Sequence, residues 1–329
     1  MIAPLAVSAL SALPQEAITA MFGVESPTYV AIRAILSIAL VGLLGILSLH
    51  LVILPRACRG AVIGTPLPRD AVDRAALPWV RMLLWTILAT TLARLVAQHA
   101  AFFGAEAPWS RETLRAILLD SSWGRGWWLA LVAMAVGLLG EFWLRRSRAL
   151  GWPALTAAAI AMAASIALSG HAVVSPTATA IHALHVIAAG GWIGSLAAVA
   201  LIAVPAVLRS GGDDRHGQIA ALVRAFSTSA LGFAGVILAT GALAAWRNLG
   251  AIAELFDSPY GRVLLIKLAL LSVAVATGAY NWRRVLPSMG SNASATTRLR
   301  TTAAIELVAA LAVLAVTAVL VATPMPGDH

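Results

Sequence analysis

Long apolar stretches separated by short polar loops dominate the chain from residue 30 to residue 322. A helix needs about 20 consecutive, mostly apolar residues to cross the hydrocarbon core of a bilayer. Stretches that meet this requirement lie at approximately 30–54, 78–101, 126–144, 152–171, 180–208, 222–246, 261–283 and 302–322. The pattern therefore predicts an all-α polytopic membrane bundle of eight transmembrane helices, with no sizeable soluble domain.

The eight predicted spans divide the chain into two halves of four helices, 30–171 and 172–326. Residues 1–29 are expected to form a periplasmic or interfacial tail, and 327–329 a short tail at the other end. Pro4 and Pro14 interrupt the first of these segments, and no Lys or Arg precedes Arg33. A secretory signal would begin with basic residues, so we do not interpret this segment as one.

The composition agrees with a membrane location and excludes several function classes. Of the 329 residues, 60% are hydrophobic and 11% are charged, and the mean hydropathy is +0.88. The formal charge of +9 does not indicate nucleic-acid binding here, because the arginines flank the spans and act as topology signals. Cys58 is the single cysteine, which excludes intramolecular disulfides and CxxC motifs. The sequence has no GxxxxGK[ST] phosphate-binding loop, which is the usual means of coupling ATP hydrolysis to transport.

The distribution of arginine predicts the orientation of the spans. Alternate loops, beginning with the one between spans one and two, hold 15 of the 23 Lys and Arg residues, against six on the other side. Short loops rich in Lys and Arg stay in the cytoplasm. We therefore expect both termini to face the periplasm, with the protein in a bacterial inner membrane.

The loop after the second span contains a further short helical pattern. Its apolar residues Trp109, Leu114, Ile117 and Leu118 recur at helical spacing between polar neighbours. The segment 109–119 therefore predicts an amphipathic helix on the outer leaflet. We interpret it as a connecting helix that covers the bundle rather than as a binding lid.

Histidines are concentrated at the predicted periplasmic face. His99, His171, His182 and His185 fall at the outer ends of spans two, four and five. An imidazole in or beside hydrocarbon is unfavourable unless it is paired or bound, and it is a good ligand for copper, zinc and haem iron. We therefore predict a metal or haem site there. The alternative is that each ring bonds to a backbone carbonyl or lies among the headgroups. His50 and His216 are expected to be structural or solvated.

Other residues are secondary candidates. Met162 lies nine residues before His171 and could form a deeper copper station, although we favour core packing as its role. Charged residues within predicted helices must face the interior, snorkel or pair; these are Arg94, Glu141, Lys267 and Glu306. We expect cytoplasmic arginines to pair with Glu141 or Glu306, and we expect no direct contact between Lys267 and Glu306. Trp192, Lys267 and Glu306 join Met162 as secondary site candidates.

The run HALHVIAAGGWIG, from His182 to Gly194, resembles the LHxxAAxxWxGG-type opening of the CopD family of bacterial inner-membrane copper proteins. His185 occupies the position of the family's histidine, and Ser195 stands in place of the second glycine. Further family-like features follow in the family's order at 224–227, 240–241, 259–267, 281–284, 299–306, Leu320 and Pro324. The resemblance covers about 170–326.

The resemblance implies an eight-helix protein of copper homeostasis that moves copper across the inner membrane, beside a separate periplasmic copper-binding partner of the CopC type. Our first hypothesis is such a transporter, with His99, His171, His182 and His185 as its periplasmic copper site and no enzymatic activity. The second is a b-type haem electron-transfer protein, an oxidoreductase, with His171 and His185 as axial ligands. The third is a non-transporting assembly factor or sensor that presents the metal to a partner.

Overall fold

The computed structural model describes residues 27–60, 67–169, 175–210, 214–281, 283 and 293–323. Within these ranges the chain is helical and contains no strand. The helices are α1 (Pro27–Arg59), α2 (Arg69–Phe103), α3 (Arg111–Leu118), α4 (Ser122–Leu144), α5 (Arg148–Leu168), α6 (Pro176–Arg209), α7 (Arg215–Leu249), α8 (Glu254–Asp257), α9 (Pro259–Tyr280) and α10 (Ala293–Ala322).

Eight of the described helices are long and apolar enough to cross a membrane, namely α1, α2, α4, α5, α6, α7, α9 and the Ala304–Ala322 part of α10. The predicted all-α polytopic bundle is confirmed. Several helices begin earlier than the apolar pattern indicates: α2 begins at Arg69 rather than near residue 78, and α7 at Arg215 rather than near 222. Arginine is a good helix former, and its long side chain keeps the charge in water while the backbone stays helical.

The short helix predicted after the second span is α3. Ser110 caps it in a capping box, in which its side chain accepts from the backbone of Thr113 and the Thr113 side chain accepts in return. Ile117 is fully buried against Trp123 and Trp127 at the start of α4. The segment is therefore a packed cover over one end of the bundle, in agreement with its interpretation as a connecting helix.

One end of the bundle, which we call the arginine-rich end, is tied together by polar contacts. The carboxylate of Glu141 accepts hydrogen bonds from Arg81, at 2.8 Å, and from Arg145, at 2.9 Å. Arg56 of α1 donates to Ser229 of α7 across 2.9 Å. These contacts place the end of α4 against the first half of α2. They also confirm the expected pairing of Glu141 with arginines.

His50 also lies at the arginine-rich end, as a structural residue. Its Nδ1 is 3.0 Å from Oδ1 of Asp73, and its ring stacks on Trp152 with centroids 3.9 Å apart. Arg148 binds Asp70 and approaches Asp73. His50 is therefore satisfied by neighbouring helices, as expected from the sequence.

The opposite end, which we call the histidine end, contains the start of α1 and the end of α2, joined by a hydrogen bond from Tyr29 to Gln98. Asn248 at the end of α7 donates to Tyr260 at the start of α9 across 2.9 Å. Tyr260 packs against Leu320 near the end of α10. The spans therefore alternate in direction, as the loop pattern predicts.

Helix α1 is central, because it packs against α2, α5, α6 and α10. Its closest approach is to α6: a Cβ atom added to Gly45 would lie 2.0 Å from the backbone carbon of Gly194. Only glycine permits two helix backbones to approach so closely. Gly194 belongs to the same short motif as Trp192, so this motif places α6 directly against α1.

Helix α6 is not uniformly α-helical. It contains π-helical turns at Gly190–Gly194 and Val199–Ala203, and the second of them ends two residues before Pro205. Helix α1 has a similar turn at Leu49–Ile53 before Pro55. Proline has no N–H to donate to the preceding turn, which accounts for the wider π pattern at the two turns that precede a proline.

Candidate functional site

Four polar side chains from three helices lie at the histidine end of the C-terminal half. They are His182 and His185 of α6, Thr240 of α7 and Lys267 of α9, and we call them the histidine cluster. His182 and His185 are one helical turn apart and therefore share a side of α6. Lys267 lies in the first half of α9, which begins at the same end of the bundle. The structure thus brings together two of the four histidines selected from the sequence.

The start of α6 determines where these rings lie. Ser175 caps the helix by accepting from the Ala178 N–H at 3.1 Å, and Pro176 occupies the first turn, where a missing N–H has no consequence. His182 and His185 follow within the next two turns. Gly241 of α7 lies against the imidazole, since a Cβ there would be in ordinary van der Waals contact with Cε1 of His185 at 3.4 Å.

Thr240 orients the ring of His185. Nδ1 of His185 lies 2.9 Å from Oγ1 of Thr240, and the same hydroxyl donates to the Val236 carbonyl at 2.6 Å. A hydroxyl has one proton to donate, so His185 donates Nδ1–H to Thr240. In this tautomer of neutral imidazole, the lone pair is on Nε2. Metal-binding histidines commonly donate their other ring N–H to a hydrogen-bond partner that orients the ring, and Thr240 is such a partner for His185.

Lys267 is the only lysine of the chain. It is half-buried on α9. No described ion pair includes its ammonium group. None of the ion pairs among the described residues joins it to Glu306. A positive charge at this position opposes a second cation bound to the histidines.

His99 lies at the same end of the bundle but in the N-terminal half. Its side chain is 2% exposed, and its ring stacks on Trp109 with centroids 4.1 Å apart and an interplanar angle of 9°. Nε2 of His99 has no hydrogen-bond partner among the described residues. Helix α2 packs against α6 within 199–209, towards the arginine-rich end. This packing does not bring α2 close to the part of α6 that carries His182 and His185.

His171 lies outside the described residues, so the site shared by all four histidines stays a prediction. Within the described ranges, no three His, Cys, Asp or Glu side chains lie close enough together to hold a metal ion. The pair His182 and His185 is therefore the described part of the candidate site.

The secondary candidates lie deeper in the bundle. Met162 is 2% exposed within the main hydrophobic core, which favours the packing interpretation. Trp192 and Glu306 line one small cavity together with Leu196, Ala274 and Ala310. The carboxylate of Glu306 accepts a hydrogen bond from Asn281 at 2.6 Å, and Thr302 donates to the Asn281 carbonyl oxygen at 2.6 Å. Glu306 thus belongs to an interior polar chain between α9 and α10.

Sequence reasoning did not identify Thr240 as a partner of His185. The only available signal was its place in the family-like pair 240–241, because no spacing rule connects residues on different helices. It also did not predict that Tyr29, Arg33 and Gln98 lie close to Arg94 at the histidine end.

Comparison with known families identifies both halves of the chain. The family described as "Copper resistance protein D" matches residues 220–320. The family described as "Copper resistance protein D-like, N-terminal domain" matches residues 24–181. The histidine motif of α6 lies between these two ranges. The comparisons with curated proteins and with solved structures found no match. The two family matches, together with the eight membrane-spanning helices, show that this chain is a multi-pass membrane protein of the CopD copper resistance family.

Proposed function

We propose that this protein moves copper across a bacterial inner membrane and takes up the ion at the histidine end, which faces the periplasm. The observation that carries the proposal is the pairing of His182 and His185 on one side of α6, with His185 oriented by Thr240. Membership of the copper resistance family supplies the identity of the metal.

The donor set suits copper. Neutral imidazole binds copper through the unprotonated nitrogen, and the hydrogen bond to Thr240 directs Nε2 of His185 towards this role. Two histidines alone would hold the ion weakly, and a transported ion must be released. We propose that His171 contributes a further imidazole as the ion arrives from a periplasmic carrier of the CopC type.

The route inward follows the interior polar side chains. Below the histidine cluster, α6 presents Trp192 to the cavity that Glu306 also lines. Glu306 is 5% exposed and supplies a carboxylate that Asn281 and Thr302 hold in place. Ionisable groups inside a membrane commonly mark ion pathways. We propose that copper passes from the two histidines along α6 to this carboxylate.

The orientation is proposed from the charge distribution. The arginine-rich end contains most of the basic loop residues, which favours a cytoplasmic location. The start of α1 and the end of α10 then lie on the periplasmic side, together with the histidine cluster.

Copper flux into vesicles that contain the purified full-length protein tests the proposal. His185→Ala should lower the flux by about tenfold or more, because it removes one ligand and the hydrogen bond to Thr240. His216→Ala is the matched control, because His216 is exposed at the arginine-rich end and should leave the flux unchanged. Equal flux in both variants would contradict the proposed site.

Two further outcomes separate the alternative functions. Copper that binds to wild-type protein in a His185-dependent way, without any flux, would identify an assembly factor or sensor. A Soret absorption band that disappears in His185→Ala would instead identify the haem protein.

A further inference from the structure

A second buried polar group lies at the histidine end of the N-terminal half, apart from the histidine cluster. Tyr29 and Arg33 come from α1, and Arg94 and Gln98 from α2; we call these four residues the arginine pocket. Each helix contributes two residues four positions apart, which places them on one face. The Tyr29 hydroxyl donates to Oε1 of Gln98 at 3.0 Å, which joins the two faces.

The arginine pocket holds two positive charges and no described carboxylate. Arg94 is 5% exposed and Tyr29 is fully buried. The guanidinium carbon of Arg33 lies 4.4 Å from the centre of the Tyr29 ring, and that of Arg94 lies 5.6 Å from the centre of the Trp123 ring. The ion pairs of the described ranges involve other basic residues.

Part of the hydrogen-bonding capacity of the arginines is unused. Nε of Arg94 and Nη1 of Arg33 are buried and have no hydrogen-bond partner among the described residues. An arginine stays charged in any protein environment, so burial cannot be relieved by loss of a proton. A buried guanidinium beside a second, half-buried one, each with an unpaired donor, is unfavourable unless a negative group neutralises them.

We propose that the arginine pocket binds an oxyanion, either a carboxylate or a phosphate group, between its two guanidinium groups. The planar fork of arginine donors matches both anions. The aromatic faces of Tyr29 and Trp123 hold the two guanidinium groups in place. Gln98 uses its carbonyl oxygen for Tyr29 and retains amide donors for the same anion.

The anion has two sources that share this chemistry. One is a dissolved oxyanion from the periplasmic side. The other is the chain itself, which has Glu25 two residues before the start of α1, outside the described residues. The experiment therefore needs one arm with added anions and another with a Glu25 variant.

The test measures the thermal unfolding midpoint of the full-length protein in a maltoside detergent, which has no phosphate or carboxylate. Acetate or inorganic phosphate is compared with chloride at the same ionic strength. A bound oxyanion at about ten times its Kd should raise the midpoint by about 3 °C. Arg94→Gln and Arg33→Gln should lose this rise. Arg125→Gln should retain it, because Arg125 is exposed at the same end.

Glu25→Gln distinguishes the sources. A dissolved anion is indicated if wild-type protein and Glu25→Gln respond alike. The chain's own carboxylate is indicated if only Glu25→Gln responds. The proposal is wrong if neither protein responds, or if the rise persists in both arginine variants. Should Arg94→Gln fail to fold, the anion titrations of wild type, Glu25→Gln and Arg33→Gln decide the question.

Discussion

The close approach of α1 and α6 leads to a sharp prediction for Gly194→Ala. A Cβ at this position would lie 2.0 Å from the Val41 carbonyl oxygen and 2.9 Å from Cα of Gly45. Ordinary contacts of a Cβ begin near 3.4 Å. Both neighbours are backbone atoms, so no side-chain rotation can relieve the overlap. The two helices must therefore move apart by about 1 Å or more.

The expected loss of stability follows from two opposing effects. Overpacking of this kind decreases the free energy of unfolding by about 1–3 kcal/mol, and more when the backbone must move. Alanine is a better helix former than glycine, which returns up to about 1 kcal/mol. Because lipid is as apolar as the helices, close packing provides much of the attraction between them. We expect a net loss of about 2 kcal/mol.

Gly235→Ala in α7 is the matched control, because nothing lies within 4 Å of the added Cβ. This variant should be unchanged or more stable by up to about 1 kcal/mol. Both variants are measured by unfolding of the detergent-solubilised protein, beside wild type. Equal stability of Gly194→Ala and Gly235→Ala would refute the proposed contact between α1 and α6.

Three further changes test individual contacts. Glu141→Gln should decrease the unfolding free energy by about 1 kcal/mol in unfolding titrations at low salt, and by less in 1 M salt, because it removes the exposed pairs with Arg81 and Arg145. Thr240→Val should weaken copper binding about 10–100-fold in a chelator competition, whereas Thr240→Ser retains the bond to His185 and should not. Lys267→Met should tighten copper binding about tenfold in the same competition, because it removes an opposing charge; an unchanged affinity would place Lys267 outside the site.

Much of the architecture could be predicted, because the length and hydropathy of a span are local properties. Each apolar stretch had to bury its backbone polar groups within itself, and an α-helix is the structure that achieves this in a single segment. The pairing of Glu141 could be predicted for a similar reason. Glu141 lies near the end of a span, where the arginines of the adjoining loops are the nearest groups of opposite charge. Core packing was also the favoured interpretation of Met162, which lies in the main hydrophobic core.

The candidate site was only partly predictable. The spacing of His182 and His185 placed both rings on one side of a helix, and the structure retains this relation. The choice of Thr240 as the partner of His185 depends on how α7 is rotated against α6. Spans that are apolar on nearly every face carry little periodicity from which such a rotation could be read.

The sequence by itself determined that the chain forms eight membrane-spanning helices, and family-like residues indicated copper. Those conclusions depend on bilayer thickness and on short motifs, both of which are read along the chain. Only the tertiary structure showed that Gly45 meets Gly194, that Thr240 orients His185, and that Arg33 and Arg94 share one pocket. These relations join distant segments through the rotation and depth of whole helices, which interhelical packing determines.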